Sequence, residues 1–217
     1  MKKEKIFIIG ARRGLGQEIL GQWRAKFPSD AIAASSRREF SADGVQPLVF
    51  DLSLPQQTEE LLVSLSNFAP TKVFYVAGGG PYGDFAEKNW KDHLWALQVS
   101  LLSPLRVLHF CLNLPSVQQI VVVGSAVAES QPDPGAASYA AAKHGLKGCI
   151  SSLQGEVRKD VRLFSPGYMS TEMLPIQAQA RLGQKRSIDS AEMVAKLFIE
   201  WVQNPEASWH WEDGPRT

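Results

Sequence analysis

The chain has 217 residues, enough to bury a full core as one domain, and its 44% apolar and 21% charged residues are ordinary for a globular protein. A net charge of +1 gives no global field that would draw in nucleic acid or an anionic membrane. Met1 to Lys5 is basic, but the apolar run behind it stops at Gly10, too short for a signal-peptide core, and no stretch reads as bilayer-spanning. A cytoplasmic protein is expected, with no nucleic-acid or membrane partner and with Cys111 and Cys149 as reduced core thiols.

Lys5 to Ile9 is a short run rich in β-formers and reads as a buried strand. It leads into Gly10-Ala11-Arg12-Arg13-Gly14-Leu15-Gly16, then into a helical pattern from Gln17 to Phe27 with Ile19, Leu20 and Trp23 on one side. Strand, glycine turn and helix make a dinucleotide cradle. Gly10 permits the tight turn, the next glycine lets the backbone approach a pyrophosphate, and the helix N-terminus faces the anion. The spacing is G-x-x-x-G-x-G. Ala31 to Ser35 is a second strand, ending in Ser35-Ser36-Arg37-Arg38. An acidic residue at that point would accept from a ribose 2′-hydroxyl and repel a 2′-phosphate. Arginines instead fork onto the phosphate, and Arg12 and Arg13 can close on it from the other side. NADP(H) is therefore expected in preference to NAD.

Pro47 to Phe50 is a third strand, followed by Asp51-Leu52-Ser53 and a helix over Pro55 to Phe68. Lys72 to Val76 is a fourth strand, ending in Ala77-Gly78-Gly79-Gly80-Pro81. A long helix is predicted from Lys88 to Leu114, bent at Pro104. Ile120 to Gly124 is a buried strand ending at Ser125, and a loop over Ala126 to Ala137 precedes a helix running to about Arg158. A sixth strand, Val161 to Phe164, breaks at Ser165-Pro166-Gly167, and an irregular segment runs to Ser187. Asp189 is expected to cap a final helix over Ser190 to Gln203, with a last short strand within Ser208 to Trp211. The alternation argues for an α/β fold. It is read as a single-domain Rossmann-like doubly wound parallel sheet with helices on both faces, spanning residues 1–217.

The chemistry is placed at Ser138-Tyr139-Ala140-Ala141-Ala142-Lys143. Four positions apart on a helix, Tyr139 and Lys143 share a face, one turn above the other. An ammonium beside a phenol favours the phenolate, so Lys143 is expected to lower the Tyr139 pKa toward neutrality. Ser125, at the end of its strand, can reach the same point. An ordinary helix pair is the bland alternative; the company of the other motifs weighs against it.

The glycine turn, Asp51, Ala77-Gly78, Ser125, Tyr139/Lys143 and Pro166-Gly167 occur in the order seen in the short-chain dehydrogenases/reductases, which the chain resembles over nearly its whole length. The resemblance implies that Gly10, Gly14 and Gly16 cradle the pyrophosphate, with Leu15 between them. Asp51 and Leu52 would line the adenine, with Ser36, Arg37 and Arg38 about its phosphorylated ribose, and Ala77 and Gly78 would pass beside that ribose. Lys143 would hold the nicotinamide ribose, beside Tyr139, and Thr171, beyond Pro166 and Gly167, would anchor the carboxamide or pyrophosphate. The implied reaction is hydride transfer to or from a small carbonyl or alcohol substrate, with Ser125 binding the oxygen and Tyr139 donating its proton. A homodimer or homotetramer is implied too, through the long fourth helix and the Tyr139 helix.

Three departures stand out. Ser100 takes the place of an asparagine that helps pass protons to the lysine, Tyr75-Val76-Ala77-Gly78 replaces Asn-Asn-Ala-Gly, and the C-terminal part is abbreviated. They leave open a second reading, a nucleotide-binding regulator that kept the fold and lost catalysis. A nucleotide-sugar epimerase would need a C-terminal substrate domain for which the chain has no room. His93, His109, His144 and His210 show no metal-ligand spacing, so no metal is expected, and His144 points about 100° away from Lys143 around the helix. Ser125 lies outside any G-x-S-x-G elbow, which argues against a hydrolase. Tyr82, Trp90, Tyr168, Met169 and Met173 are candidate pocket residues.

Overall fold

The computed structural model describes residues 3–129, 133–172 and 188–213. Met173, the irregular segment from residue 173 to Ser187, and residues 130–132 of the loop before the Tyr139 helix lie outside the described residues.

Strands β1 (Lys5–Ile9), β2 (Ala31–Ser36), β3 (Val45–Val49), β4 (Lys72–Tyr75), β5 (Gln119–Val123), β6 (Asp160–Ser165) and the C-terminal β9 (His210–Glu212) form one seven-stranded sheet in the order β3-β2-β1-β4-β5-β6-β9. Every neighbouring pair is parallel. Parallel neighbours need crossovers, and these cover both faces with helices, so the central strands read as unbroken apolar runs. Alternation along each strand sorts their side chains into two cores. Phe7, Ile9, Val73, Tyr75, Ile120, Val122 and Leu163 face α2 (Pro55–Phe68), α4 (Ser103–Asn113) and α5 (Ala137–Leu153). Ile6, Ile8, Phe74, Val121, Val123 and Phe164 face α1 (Gly14–Lys26) and the last helix, α6 (Ala191–Gln203). The predicted fold class is the observed one.

Several local expectations need correction. β3 begins at Val45 and contains Pro47, which a parallel sheet tolerates because β3 is an edge strand and needs no donor on its outer side. The long helix is three pieces in line: α3 (Trp90–Leu97), a π-helical turn over Gln98–Leu102, and α4. Pro104 has no N–H for the carbonyl four residues back, and the ladder slips by one residue: the Ser103 N–H bonds the Gln98 carbonyl. The Val99 carbonyl, freed from the ladder, accepts from the Tyr75 hydroxyl at 2.9 Å. By length and composition the stretch Trp90–Asn113 would suffice to cross a membrane, contrary to expectation. Its buried positions, among them Ala96, Val107, Leu108 and Cys111, pack into the protein core.

Ser190, not Asp189, caps α6, its side chain accepting from the Met193 N–H at 3.1 Å. Asp189 belongs instead to the two-residue strand β8 (Asp189–Ser190), paired with β7 (Met169–Ser170). α5 ends at Leu153, short of Arg158. The tail does return to the sheet as β9, where Trp211 stacks on Phe164 with ring centroids 4.2 Å apart. Both cysteines are free thiols, and burial pushes the Cys111 thiol up to about 12.

Phe198 of α6 meets Phe74 and Phe164 edge-on, at 5.2 and 5.1 Å between ring centroids, and is fully buried. Phe198→Ala should lower unfolding free energy by about 3–5 kcal/mol in urea titrations.

Candidate cofactor and catalytic site

In an open parallel sheet a crevice forms beyond the carboxyl ends of the strands, where the chain turns away in opposite directions. Here that point lies between β1 and β4, and a cavity of about 650 Å³ opens there. The backbone runs very close at its base. Gly10 has φ +95°, and a Cβ on it would lie 2.6 Å from the Ala77 nitrogen; one on Gly16 would lie 2.0 Å from the Gly10 carbonyl oxygen. Only a chain without side chains here lets α1 start so near the strand ends.

Arg13, at the helix N-cap, makes no side-chain cap bond, and the first turn carries no acidic residue. The first backbone N–H groups therefore point into the cavity with the positive end of the helix dipole, a fitting seat for a pyrophosphate. Gly14 and Leu15 line it, and Thr171 reaches over Gly14, its methyl 3.5 Å from where a Cβ would stand.

At the adenosine end, Ser36, Arg37, Arg38 and Arg12 line the cavity, the three arginines exposed. The Ser36 hydroxyl bonds the Arg38 carbonyl and so shapes the turn that presents the guanidinium groups. Arg13 lines the cavity too, and its guanidinium pairs with Glu172 at 3.0 Å. The Asp51 carboxylate accepts from the Ser53 N–H and hydroxyl, at 3.0 and 2.7 Å, while Leu52 is buried and its carbonyl accepts from Ser103 at 2.9 Å.

The other end holds Ser125, Tyr139 and Lys143. Ala77 and Gly78 follow β4, and Ser100 stitches the next residue down, accepting from the Gly79 N–H and donating to the Gly79 carbonyl, both at 2.9 Å. Its one hydroxyl hydrogen is thus already spent. A Cβ on Gly78 would approach the Lys143 Nζ to 3.2 Å, so this turn packs against the lysine head. Ser125 and Tyr139 both line this end of the cavity. Lys143, 2% exposed, lies on the same side of α5, its Nζ 5.5 Å from the Tyr139 ring centre and 2.8 Å from the Val123 carbonyl oxygen, to which it donates. Pro166 and Gly167 also line the cavity, and the Pro166 carbonyl accepts from the Ala126 N–H at 2.9 Å.

The expected effect of Lys143 on Tyr139 is not what this arrangement produces. Burial pushes the Tyr139 phenol above its ordinary value, and the Ser125 bond only partly offsets this. Burial likewise pulls Lys143 down, from 10.5 to about 7. The ammonium has given up its water for one carbonyl bond, and it is charged only part of the time at neutral pH.

The start of α5 is pinned by His93. Its Nε2 lies 3.1 Å from the Phe85 carbonyl oxygen, which can only accept, so Nε2 carries the proton and Nδ1 accepts from the Ser138 hydroxyl at 2.5 Å. Of the candidate pocket residues, Tyr82, Tyr168 and Met169 line the cavity, whereas Trp90 is exposed on the outside of α3. Trp95 lines it instead, and sequence reading missed it. Five residues on from Trp90, it falls about 140° around the helix, and this was the available signal.

The family model for short chain dehydrogenases matches residues 4–181. The chain belongs to the short-chain dehydrogenase family. The 3-oxoacyl-[acyl-carrier-protein] reductase FabG of Vibrio cholerae serotype O1 is 26% identical, over 93% of this chain and 90% of that one. Among solved structures of similar fold, BdcA in complex with NADPH has a TM-score of 0.80 at 18% identity, covering 96% of this chain and 91% of that one. 4-Hydroxyisoleucine dehydrogenase complexed with NADH has a TM-score of 0.81 at 17% identity, covering 96% of this chain and 95% of that one. As a short-chain dehydrogenase this is an oxidoreductase, built to act with a nicotinamide cofactor on an alcohol or carbonyl group of a small molecule.

The depressed Lys143 pKa has a stability consequence. Above pH 10.5 the lysine is neutral folded or unfolded; as pH falls toward about 7 the unfolded chain binds a proton that the folded one refuses. Stability of the ligand-free protein relative to Lys143→Met should therefore rise between pH 7 and 10, in thermal melts compared pairwise.

Proposed function

We propose that this short-chain dehydrogenase is NADP(H)-dependent and reduces a small carbonyl compound, or oxidises the corresponding alcohol, with Ser125, Tyr139 and Lys143 as its proton-donating site. The observation that carries the reading is that Ser125, Tyr139 and Lys143 line the same cavity as the glycine cradle, with the Lys143 Nζ 5.5 Å from the Tyr139 ring centre. A reduced nicotinamide bound there supplies the hydride.

The protein's own groups do the rest. Ser125 offers its hydroxyl to the substrate oxygen, and Tyr139 gives that oxygen its proton as negative charge develops. A phenol raised by burial is fully protonated at neutral pH, the state that a donor needs. Lys143, titrating near neutrality, can take up a proton and, once charged, steady the phenolate left behind. Ser100 supports this end of the site by holding the Gly79 turn rather than by relaying protons itself.

NADP(H) preference rests on Arg12, Arg37 and Arg38, three exposed guanidinium groups beside the Ser36 turn, where a carboxylate would select against a 2′-phosphate. The fold alone does not choose, since relatives of the same fold bind NADPH or NADH.

Tyr139→Phe should cut the rate of NADPH-linked carbonyl reduction by about 10²–10⁴-fold while NADPH binding stays near normal. Undiminished turnover would remove Tyr139 from the mechanism. Arg37→Asp should weaken NADPH by about tenfold or more in fluorescence titrations and leave NADH little changed; equal losses would place the phosphate elsewhere.

A further inference from the structure

A cluster that this chemistry does not use lies where the last strand joins the sheet. Glu129 closes the short 3₁₀ turn (Ala126–Ala128) that begins at Ser125, and its side chain is only 7% exposed. One carboxylate oxygen takes a hydrogen from the Lys147 ammonium on α5; the other lies 2.8 Å from His210 Nε2 on β9. Ser165, at the end of β6, sits 3.4 Å from the same imidazole nitrogen. Burial pushes the Glu129 carboxyl up, but the bonds from Lys147, Ser165 and His210 outweigh it and hold the group below its ordinary value. It is an anion at neutral pH.

Glu129, His210 and Glu212 have ligand atoms within 4.8 Å of one another, the spacing of a metal site. The Lys147 ammonium already sits on Glu129, however, and supplies the positive charge that a metal would bring. The cluster is an ion-pair lock. It joins the turn that carries Ser125, the helix that carries Tyr139 and Lys143, and the final strand. Backbone bonds from Gly124 to Phe164, at 2.7 Å, and from Ala126 to Pro166, at 2.9 Å, hold the first half of that turn. The second half is tied down through the Glu129 side chain. Buried ion pairs contribute little net stability, and their better-attested use is to single out one arrangement.

We propose that Glu129, gripped by Lys147 and His210, is a positioning residue that fixes the Ser125 turn against α5, so that the Ser125 hydroxyl faces the cavity it shares with Tyr139. This rests on the reading of Ser125 and Tyr139 as the reacting groups. Misplacement of a catalytic group by about 1 Å can cost about 100-fold in rate, which sets the scale of the effect.

The test uses the full-length protein with NADPH and a carbonyl substrate. His210→Ala should lower kcat by roughly ten- to a hundredfold with NADPH affinity unchanged, and His210→Gln, which keeps an N–H for Glu129, should recover most of it. In a Ser125→Ala background the same His210→Ala change should cost little more, because both act through one hydroxyl. Independently of turnover, the Val127 and Ala128 amides, which bond the Ser125 hydroxyl and carbonyl at 3.3 and 2.9 Å, should exchange with deuterium faster in His210→Ala. Losses that simply add, or unchanged exchange at those amides, would overturn the proposal. If the unaltered protein turns over no carbonyl, the catalytic reading fails, and amide exchange alone decides whether the lock exists. Should His210→Ala not fold, Lys147→Met is read by the same criteria.

Discussion

Everything at the site depends on how closely two backbone turns approach each other at the end of β1. Gly10 lies against Ala77, and Gly16 lies against Gly10, at separations that one added methyl would close. That closeness lets the α1 N-terminus stand at the mouth of the crevice with its N–H groups turned outward. It also brings the Ala77-Gly78 turn within reach of Lys143, so the glycine turn and the lysine share one wall of the cavity.

Burial then sets the proton chemistry. A tyrosine and a lysine one turn apart suggest mutual stabilisation of phenolate and ammonium. Inside the folded chain both are driven toward their neutral forms, the phenol upward and the amine down to about 7, because desolvation outweighs any attraction between them. In the proposed reaction a neutral phenol is the state that a proton donor needs. Burial of Lys143 carries a desolvation cost that an exposed lysine would not.

The mixed α and π course of the 90–113 stretch serves the same end. The wide turn frees the Val99 carbonyl for Tyr75 and places Ser100 against Gly79, so the strand end and the glycine turn are both anchored to one helix. The Glu129 cluster anchors the end of the turn that follows Ser125 to α5 and β9.

Much of this was legible in the chain. Runs of β-formers alternating with helical periods specify a parallel α/β sheet, because such strands can bury both faces only beneath crossover helices. The glycine turn directly after the first strand, and Tyr139 four residues before Lys143, point to the residues that line the crevice before any coordinates are seen, since both depend on local geometry. What depends on distant partners was not legible. The Glu172 partner of Arg13, the replacement of Trp90 by Trp95 at the pocket, and the grip of His210 on Glu129 each pair residues far apart in the chain or on unseen faces. The directions of the Tyr139 and Lys143 shifts also came only from the tertiary structure, because desolvation is a property of the surroundings and not of spacing along a helix.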